Sequence, residues 1–303
     1  MQKNKQKENV KEDSEPNKNK GIFPYLLHVF YIFLFLLLFS ITYYIYFFDL
    51  KGVKKTISEK INIESKKVKS LKTKKSTYVT DILIGAADYH HIENQLLPKE
   101  FRNYSDSYWA GKTFSPSCLL FYLGVSKKIK KILHHNLFFD ADIEQHINEV
   151  YTKKIWPKDP LFYVCCPSKT DSFTAPDGKE NLFLLIPITP GLEDSIQLRN
   201  HYFDLIIKRL ESYCGENIID FIEYKKSYCV NDFISDYNAY KGNAYGLANT
   251  LFQTANFKPS IINKKLSNLF YTGQLTVPGP GVPPSLISGQ IVAEYINEKN
   301  PLS

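Results

Sequence analysis

Cysteine is sparse in this 303-residue chain, and no two of its cysteines form a CxxC pair. The five cysteines are scattered at Cys118, Cys165, Cys166, Cys214 and Cys229. An odd and scattered set argues against a disulfide framework and favours a reducing compartment. Cys165 and Cys166 lie inside the apolar run LFYVCCP, which predicts that both thiols are buried and unreactive.

A metal-binding pattern is also missing. The histidines include two adjacent pairs, His90–His91 and His134–His135. Neighbouring side chains on a strand point to opposite faces, and neither pair belongs to a helical i, i+4 set with a further histidine or carboxylate. The sequence therefore predicts no metal site.

Signatures of nucleic-acid binding and of hydrolytic catalysis are lacking too. The formal net charge of +7 is concentrated near the N-terminus, and no stretch interleaves basic with aromatic residues, so nucleic acid is not an expected partner. No Ser-His-Asp or paired-carboxylate constellation stands out, so the sequence assigns no catalytic residue. Aromatic residues are plentiful instead, at 15% with 21 Phe and 21 Tyr.

The N-terminal part divides into a charged tail and a long apolar run. Residues 1–20 are rich in lysine and glutamate, which predicts a disordered tail. Residues 21–49 contain an uncharged run that reaches the roughly 20 residues needed to span a bilayer as a helix. No small-residue cleavage site follows, so we predict a transmembrane helix rather than a signal peptide. Lysines are more frequent on its C-terminal flank, which predicts a single-pass membrane protein with its folded part in the cytoplasm.

Beyond residue 50, short strand-like and helix-like segments alternate. Residues 55–80 resemble the two strands of a hairpin, and residues 81–88 a buried strand entering a turn of small residues. Apolar runs predict further strands in SCLLFYLGV, LFYVCCPSK and ENLFLLIPIT. Helical spacing of apolar residues predicts a helix in SIQLRNHYFDLIIKRLESYC. This order predicts a mixed α/β fold and not a barrel of regular repeats.

The stretch FYTGQLTVPGPGVPPSLISGQIVAEYI reads as a strand end, a loop dense in glycine and proline, and an apolar helix. Glycine lets the backbone approach a ligand closely, and proline stiffens the loop between the glycines. Pro283 or Pro284 suits the first turn of a helix, whose N-terminus favours an electron-rich ligand. We interpret this stretch as a ligand-contacting loop; a tight structural turn is the alternative.

From about Thr56 to its C-terminus, the chain resembles the carotenoid desaturases of the phytoene desaturase family, especially the bacterial flavin-dependent branch. Seven segments carry the resemblance in family order: DILIGAADYHHIENQLL, RNYSDSYW, SPSCLLFYLGV, HHNLFFDADIEQHINEVY, WPKDPLFYVCCPSKTD, AYKGNAYGLANTLFQTANFKP and NLFYTGQLTVPGPGVPPSLISGQ. The resemblance implies an oxidoreductase of carotenoid biosynthesis that removes hydrogen from a long polyene such as phytoene, with hydride transfer to FAD. It also implies contact with membrane lipid, in which the substrate dissolves.

The resemblance further implies an amine-oxidase-like flavoprotein fold with three parts in this chain. Residues 50–88 would be a linker with a remnant of the FAD-domain hairpin and strand. Residues 89–257 would form a substrate-binding domain of antiparallel sheet plus helices, and residues 258–303 the C-terminal FAD-domain segment with a flavin-capping loop and helix. The residues that would contact the flavin are Gly273, Pro278, Gly279, Pro280, Gly281, Val282, Pro283 and Ser285.

The dinucleotide fingerprint G-x-G-x-x-G is missing from the sequence. The one G-x-G is Gly279–Pro280–Gly281, inside the C-terminal loop. We therefore expect an incomplete flavoprotein fold that needs a separate N-terminal flavin-binding polypeptide to hold FAD. The alternatives are a membrane-tethered, non-catalytic carotenoid-binding module and a truncated, inactive product.

Polar residues near the expected cavity have two possible roles. Tyr237, Tyr240 and Tyr245 could line a substrate cavity or simply pack in a core. Asp88 and His90 lie near the end of the strand predicted in residues 81–88, and we interpret them as residues that cap the turn.

Overall fold

The computed structural model describes residues 58–299. The predicted tail (1–20), the predicted transmembrane helix (21–49) and the first residues of the predicted linker lie outside the described residues, as do residues 300–303. Within residues 58–299, no helix combines the length and the apolar character that crossing a bilayer requires.

Ten strands and six α-helices make up the described part of the chain. The strands are β1 (Ser58–Glu64), β2 (Lys67–Thr73), β3 (Thr77–Val79), β4 (Leu83–Gly85), β5 (Ser117–Val125), β6 (His135–Phe138), β7 (Phe162–Cys165), β8 (Glu180–Ile188), β9 (Ile222–Tyr228) and β10 (Leu269–Tyr271). The helices are α1 (Tyr89–His91), α2 (Asp106–Ala110), α3 (Ile143–Ile147), α4 (Ile196–Cys214), α5 (Val230–Tyr237) and α6 (Val282–Lys299). Short π-helical turns extend α1 over Ile92–Leu96 and α3 over Asn148–Lys153.

The larger sheet has five antiparallel strands in the order β6-β7-β8-β5-β9. Strand β8 alternates between buried and half-buried positions, because successive side chains of a strand point to opposite faces. Its fully buried residues, such as Leu184 and Ile186, pack with one face of α4 in a single hydrophobic core. Helix α4 begins after Ser195, whose hydroxyl accepts a hydrogen bond from the Leu198 amide, and ends at Gly215 in the left-handed region.

The remaining strands form two small sheets around a second hydrophobic core. Strands β1, β2 and β3 pair antiparallel, and β4 pairs with β10 in parallel. Tyr89, Trp109 and Tyr271 are buried together in this core, and the rings of Tyr89 and Tyr271 stack 4.0 Å apart. The second core thus joins residues that lie almost 200 positions apart in the chain.

The mixed α/β fold predicted from the sequence is confirmed. The hairpin, the three apolar strands and the long helix all form at their predicted places. The strand of residues 81–88 forms but is not buried, since Ile84 is 46% exposed and β4 has only β10 as a neighbour among the described residues. The boundaries proposed for the three parts stay predictions.

Candidate functional site

A cavity of about 400 Å³, which we call the loop cavity, opens where β4 and β10 end. Because these two strands run parallel, with Tyr271 opposite Gly85, their carboxyl ends meet at the same edge. Ligands of open α/β sheets bind in crevices outside the carboxyl ends of the strands. The wall of the loop cavity contains Ala86, Ala87, Asp88, Tyr89, Phe233, Tyr237, Ala239, Asn243, Ala244, Thr272, Gly273, Gln274, Leu275 and Ser285.

The loop after β10 is fastened to α6 by one buried hydroxyl group. The Oγ of Ser288, which is fully buried, accepts hydrogen bonds from the Gly273 amide at 3.1 Å and from the Thr272 hydroxyl at 3.0 Å. The Thr276 hydroxyl lies 2.7 Å from the same oxygen and 2.9 Å from the Gly273 carbonyl oxygen. These bonds hold the backbone of Gly273 in the cavity wall.

Gly273 itself leaves open space where any other residue would carry a side chain. Its φ is +111°, which L side chains rarely adopt, and a Cβ built on it would meet no atom within 4 Å. A ligand in the loop cavity can therefore approach this backbone directly.

The structure brings two of the eight predicted flavin-contacting residues into the wall of the loop cavity. Gly273 and Ser285 line it, and the helix predicted after the loop begins at Val282 with two prolines in its first turn. Six predicted residues are not among its wall residues: Pro278, Gly279, Pro280, Gly281, Val282 and Pro283. Val282 is 77% exposed, so its side chain points away from the packed part of the loop.

Lys258 is a candidate residue that the sequence did not single out. It is only 5% exposed, and its Nζ has no hydrogen-bond partner among the described residues. Its Cε and Nζ lie 3.1 Å and 3.3 Å from the position that a Cβ on Gly279 would take. Burial lowers the pKa of this ammonium group below its ordinary value. Nothing in the sequence around NFKPS marks the lysine as buried, because the burial comes from a loop some 20 residues away.

Asp88 lies in the cavity wall and caps the turn, as interpreted from the sequence. Its carboxylate accepts hydrogen bonds from the His91 amide at 3.0 Å and the Tyr240 amide at 3.2 Å, while burial raises its pKa. Burial lowers the pKa of His90 to about 4, so this imidazole is neutral at pH 7. The His90 ring packs 3.9 Å from the Tyr240 ring, which is consistent with a structural role.

Only one of the three candidate tyrosines lines the loop cavity. Tyr237 lines the loop cavity, whereas Tyr240 and Tyr245 are not among its wall residues. Tyr240 packs against the rings of His90 and Phe114, and Tyr245 is about half exposed.

A second concave surface, which we call the sheet groove, lies beside the five-stranded sheet. Its volume is about 370 Å³ and its wall is almost entirely apolar. Burial lowers the pKa of His146, the one histidine in the wall, so that this ring is neutral at pH 7. The wall consists of Pro116, Leu137, Phe139, Ile143, His146, Ile147, Val150, Tyr151, Leu161, Phe162, Tyr163, Leu185 and Pro187.

The argument from strand alternation fails for one histidine pair. His134 lies in a bend before β6, and its ring centroid is 4.2 Å from that of His135, so both rings lie on the same side. One ligand atom from each of His134, His135 and Cys165 lies within 4.8 Å of the others. Cys166 is fully buried as predicted, but Cys165 is half-buried, because the two neighbours point to opposite faces of β7. All five cysteines are free thiols.

Two relatives of this chain, identified by sequence comparison, are carotenoid desaturases. Over 223 residues the chain is 41% identical to carotenoid 3,4-desaturase of Haloarcula japonica, a match that covers 74% of this chain and 45% of the relative. It is 31% identical over 193 residues to the zeta-carotene-forming phytoene desaturase of Myxococcus xanthus, covering 60% of this chain and 36% of the relative. The matches thus span only 36% to 45% of the length of these curated relatives. No family model matches the chain.

A solved structure shares the fold at low sequence identity. An oxidoreductase from Methanosarcina mazei superposes with a TM-score of 0.51 at 13% identity, covering 78% of this chain and 48% of that one. The mixed α/β fold therefore resembles that of an oxidoreductase. On the sequence relationship to the desaturases, the chain belongs to the bacterial-type carotenoid desaturase family.

Proposed function

We propose that this chain is the substrate-binding and flavin-capping part of a carotenoid desaturase that removes hydrogen from a long polyene such as phytoene. The observation that carries the proposal is the loop cavity, which lies at the carboxyl ends of β4 and β10 and has Gly273 and Ser285 in its wall. Names of the sequence relatives support the polyene class of substrate.

The residues around the loop cavity fit FAD as the cofactor. Gly273, in the cavity wall, offers backbone with open space in front of it. Lys258 is outside the wall, beside Gly279 of the same loop, and its buried Nζ has no hydrogen-bond partner among the described residues. When bound, FAD would supply the acceptor for the hydride that the polyene loses. Gly273, Ser285 and the neighbouring loop would hold its flavin ring.

The protein groups near the loop favour negative charge on a bound ring. The N-terminus of α6 carries the positive end of the helix dipole. Pro283 and Pro284 lack N–H groups. The N-terminus of α6 would therefore stabilise a negative charge more through the helix dipole than through several amide donors. Lys258 adds a second positive group behind Gly279, in surroundings where charges are weakly screened.

The sheet groove is the proposed contact surface for the polyene. Its wall offers apolar side chains and no carboxylate, lysine or arginine, which suits a hydrocarbon without hydrogen-bonding groups. Leu137 and Phe139 are more than half exposed at this groove, so apolar surface is available to a substrate or to membrane lipid.

We further propose that a separate flavin-binding polypeptide completes the enzyme and that the protein is a single-pass membrane protein with its folded part in the cytoplasm. Exposed apolar side chains on β3, β4 and α6, among them Val79, Ile84 and Leu286, support a protein partner. The uncharged run of residues 22–48 supports the membrane anchor.

Coproduction with the complementary part of a relative tests the function. The full chain would be produced together with the portion of the carotenoid 3,4-desaturase that it does not match. We expect the complex to retain flavin and to convert phytoene into more unsaturated polyenes, which chromatography resolves by their absorption. The full chain produced alone is the control, and we expect it to retain little flavin.

A non-catalytic carotenoid-binding module is the second candidate, and the sheet groove favours it because the groove is formed by this chain alone. That module would bind polyene but yield no product with any flavin-binding partner. Polyene binding with no flavin retained, even beside the complementary part, would contradict the enzyme and favour the module.

A further inference from the structure

His134, His135 and Cys165 form a cluster of potential metal ligands, and none of the three lines either cavity. Within residues 58–299, no other group of three or more His, Cys, Asp or Glu side chains comes together in this way. One ligand atom from each lies within 4.8 Å of the others, and the three side chains are exposed or half-buried. An ion from solution can therefore reach them.

The register of two strands creates the cluster. His135 of β6 pairs directly with Cys165 of β7, so their side chains share one face of the sheet. The Cys166 amide donates a hydrogen bond to the His134 carbonyl oxygen at 2.8 Å, which continues the ladder past the end of β6. The bend at His134 then turns its ring onto that of His135.

Each ring of the pair has its Nδ1 within hydrogen-bond distance of a hydroxyl group. His134 Nδ1 lies 2.6 Å from the Thr170 hydroxyl oxygen, and His135 Nδ1 lies 2.5 Å from the Tyr163 hydroxyl oxygen. Metal-binding histidines characteristically use the other ring nitrogen in such an outer hydrogen bond, which fixes the tautomer and orients the ring. With Nδ1 engaged in these bonds, Nε2 is the nitrogen that each ring would use to bind an ion.

We propose that His134, His135 and Cys165 bind a divalent transition-metal ion of the zinc class. Two imidazoles and one thiolate suit Zn²⁺, with a water molecule in the fourth tetrahedral position. Ligand atoms around tetrahedral zinc are about 3.3–3.6 Å apart, as bond lengths of roughly 2.0–2.3 Å require, so the cluster closes with a contraction of at most about 1.5 Å. Small rotations of these exposed and half-buried side chains would supply that movement.

The ion would join β6 to β7 across an edge of the sheet. Strand β6 is one of the two outer strands of the five and has only four residues. Because metal binding to the native state stabilises it by mass action, zinc would raise the melting temperature of the chain. The proposal does not depend on desaturation, so it can hold or fail independently of the proposed function.

Metal titration of the full chain in detergent, under reducing conditions, tests the site. We expect one Zn²⁺ per chain in competition with a chromophoric chelator, and with Co²⁺ a thiolate-to-metal charge-transfer band. Cys165→Ser should remove this band and weaken zinc binding by more than about 10-fold. Thr170→Ala keeps all three ligands but removes the outer hydrogen bond of His134, and should weaken binding about 10-fold or more.

A matched variant separates this site from general binding by histidine. His201 is exposed on α4, so His201→Gln should leave zinc affinity and the cobalt spectrum unchanged. Substoichiometric zinc, or an affinity that Cys165→Ser leaves unchanged, would overturn the proposal. Melting curves with and without zinc, recorded for each variant, distinguish a lost ligand from a lost fold.

Discussion

At the scale of single residues, Gly273 gives the sharpest test of the loop cavity. Its φ of +111° makes any side chain costly, and a Cβ at this position would stand in open space. We expect Gly273→Ala to destabilise the chain by about 1 kcal/mol or more and to weaken flavin retention in the coproduced complex. Flavin absorbance per chain after gel filtration measures the retention.

Gly178 is a matched control for that substitution. It also has a positive φ, +74°, and a Cβ there would also meet no atom within 4 Å, but it lies in the loop before β8. Gly178→Ala should therefore cost stability without any loss of flavin. Equal flavin retention in the two variants would contradict a role of Gly273 in holding the ring. Gly281 is less suitable, because a Cβ there would lie 3.2 Å from Pro284 Cδ and disturb the start of α6.

Replacing Lys258 should have opposite effects on the stability of the chain and on cofactor binding. A buried ammonium without a partner destabilises the folded chain, so Lys258→Met should raise the free energy of unfolding by about 1–3 kcal/mol at pH 7. Because burial lowers the folded-state pKa below the ordinary 10.5, the penalty is complete below the folded pKa and disappears as the pH rises towards 10.5. The gain from Lys258→Met should therefore be smaller at high pH than at pH 7.

Denaturant unfolding at pH 7 and at about pH 9.5 measures this difference, with Lys128→Met as the control at an exposed lysine. In the coproduced complex, the same Lys258→Met substitution should weaken flavin retention. A variant that is neither more stable alone nor weaker in flavin binding would show that Lys258 is accommodated by the fold without cost and without function.

At the scale of elements, α3 supplies the sheet groove with two isoleucines on one helical face. Ile143 and Ile147 are separated by four residues, and each is 48% exposed in the groove wall. Exposed apolar side chains contribute little to stability, so Ile147→Gln should leave unfolding almost unchanged. If the groove binds polyene, the substitution should weaken that binding several-fold, because apolar contact with the hydrocarbon is lost.

Ile219→Gln is the matched control, since Ile219 is 42% exposed and is not in the groove wall. Polyene binding can be followed by the absorption shift of a carotenoid that co-elutes with the detergent-solubilised chain. Identical binding by the two variants would place the polyene elsewhere.

At the scale of the whole molecule, the sequence predicted which segments form strands and helices. It predicted less well which of these elements lie next to one another. Strand β8 and helix α4 follow from apolar periodicity, since burial in each follows the period of the local structure. Strand β9, with the sequence IEYKKSY, was not predicted because its charged residues are exposed at the edge of the sheet. An edge strand has little burial to leave a pattern in the sequence.

The candidate sites, too, could be predicted from sequence only where they follow from a local pattern. Gly273 could be found from sequence, because a glycine-rich loop between a strand and a helix is a local pattern. The contact of Lys258 with Gly279 and the cluster at Cys165 depend on segments that are about 20 and 30 residues apart in the chain. Such contacts follow from loop packing and strand register, which local periodicity does not specify.

The membrane anchor is the prediction that concerns the full chain. The uncharged run of residues 22–48 should hold the protein in membranes during carbonate extraction, because roughly 20 apolar residues span the hydrocarbon core as a helix. Placing charge at its centre with Leu37→Arg and Leu38→Arg should release the protein, since each arginine there costs about 2.5–3.5 kcal/mol of insertion free energy. The pair Leu37→Ala and Leu38→Ala is the matched control and should stay in the membrane fraction. A wild-type chain that carbonate extracts as readily as the arginine variant would show that residues 22–48 do not span the bilayer.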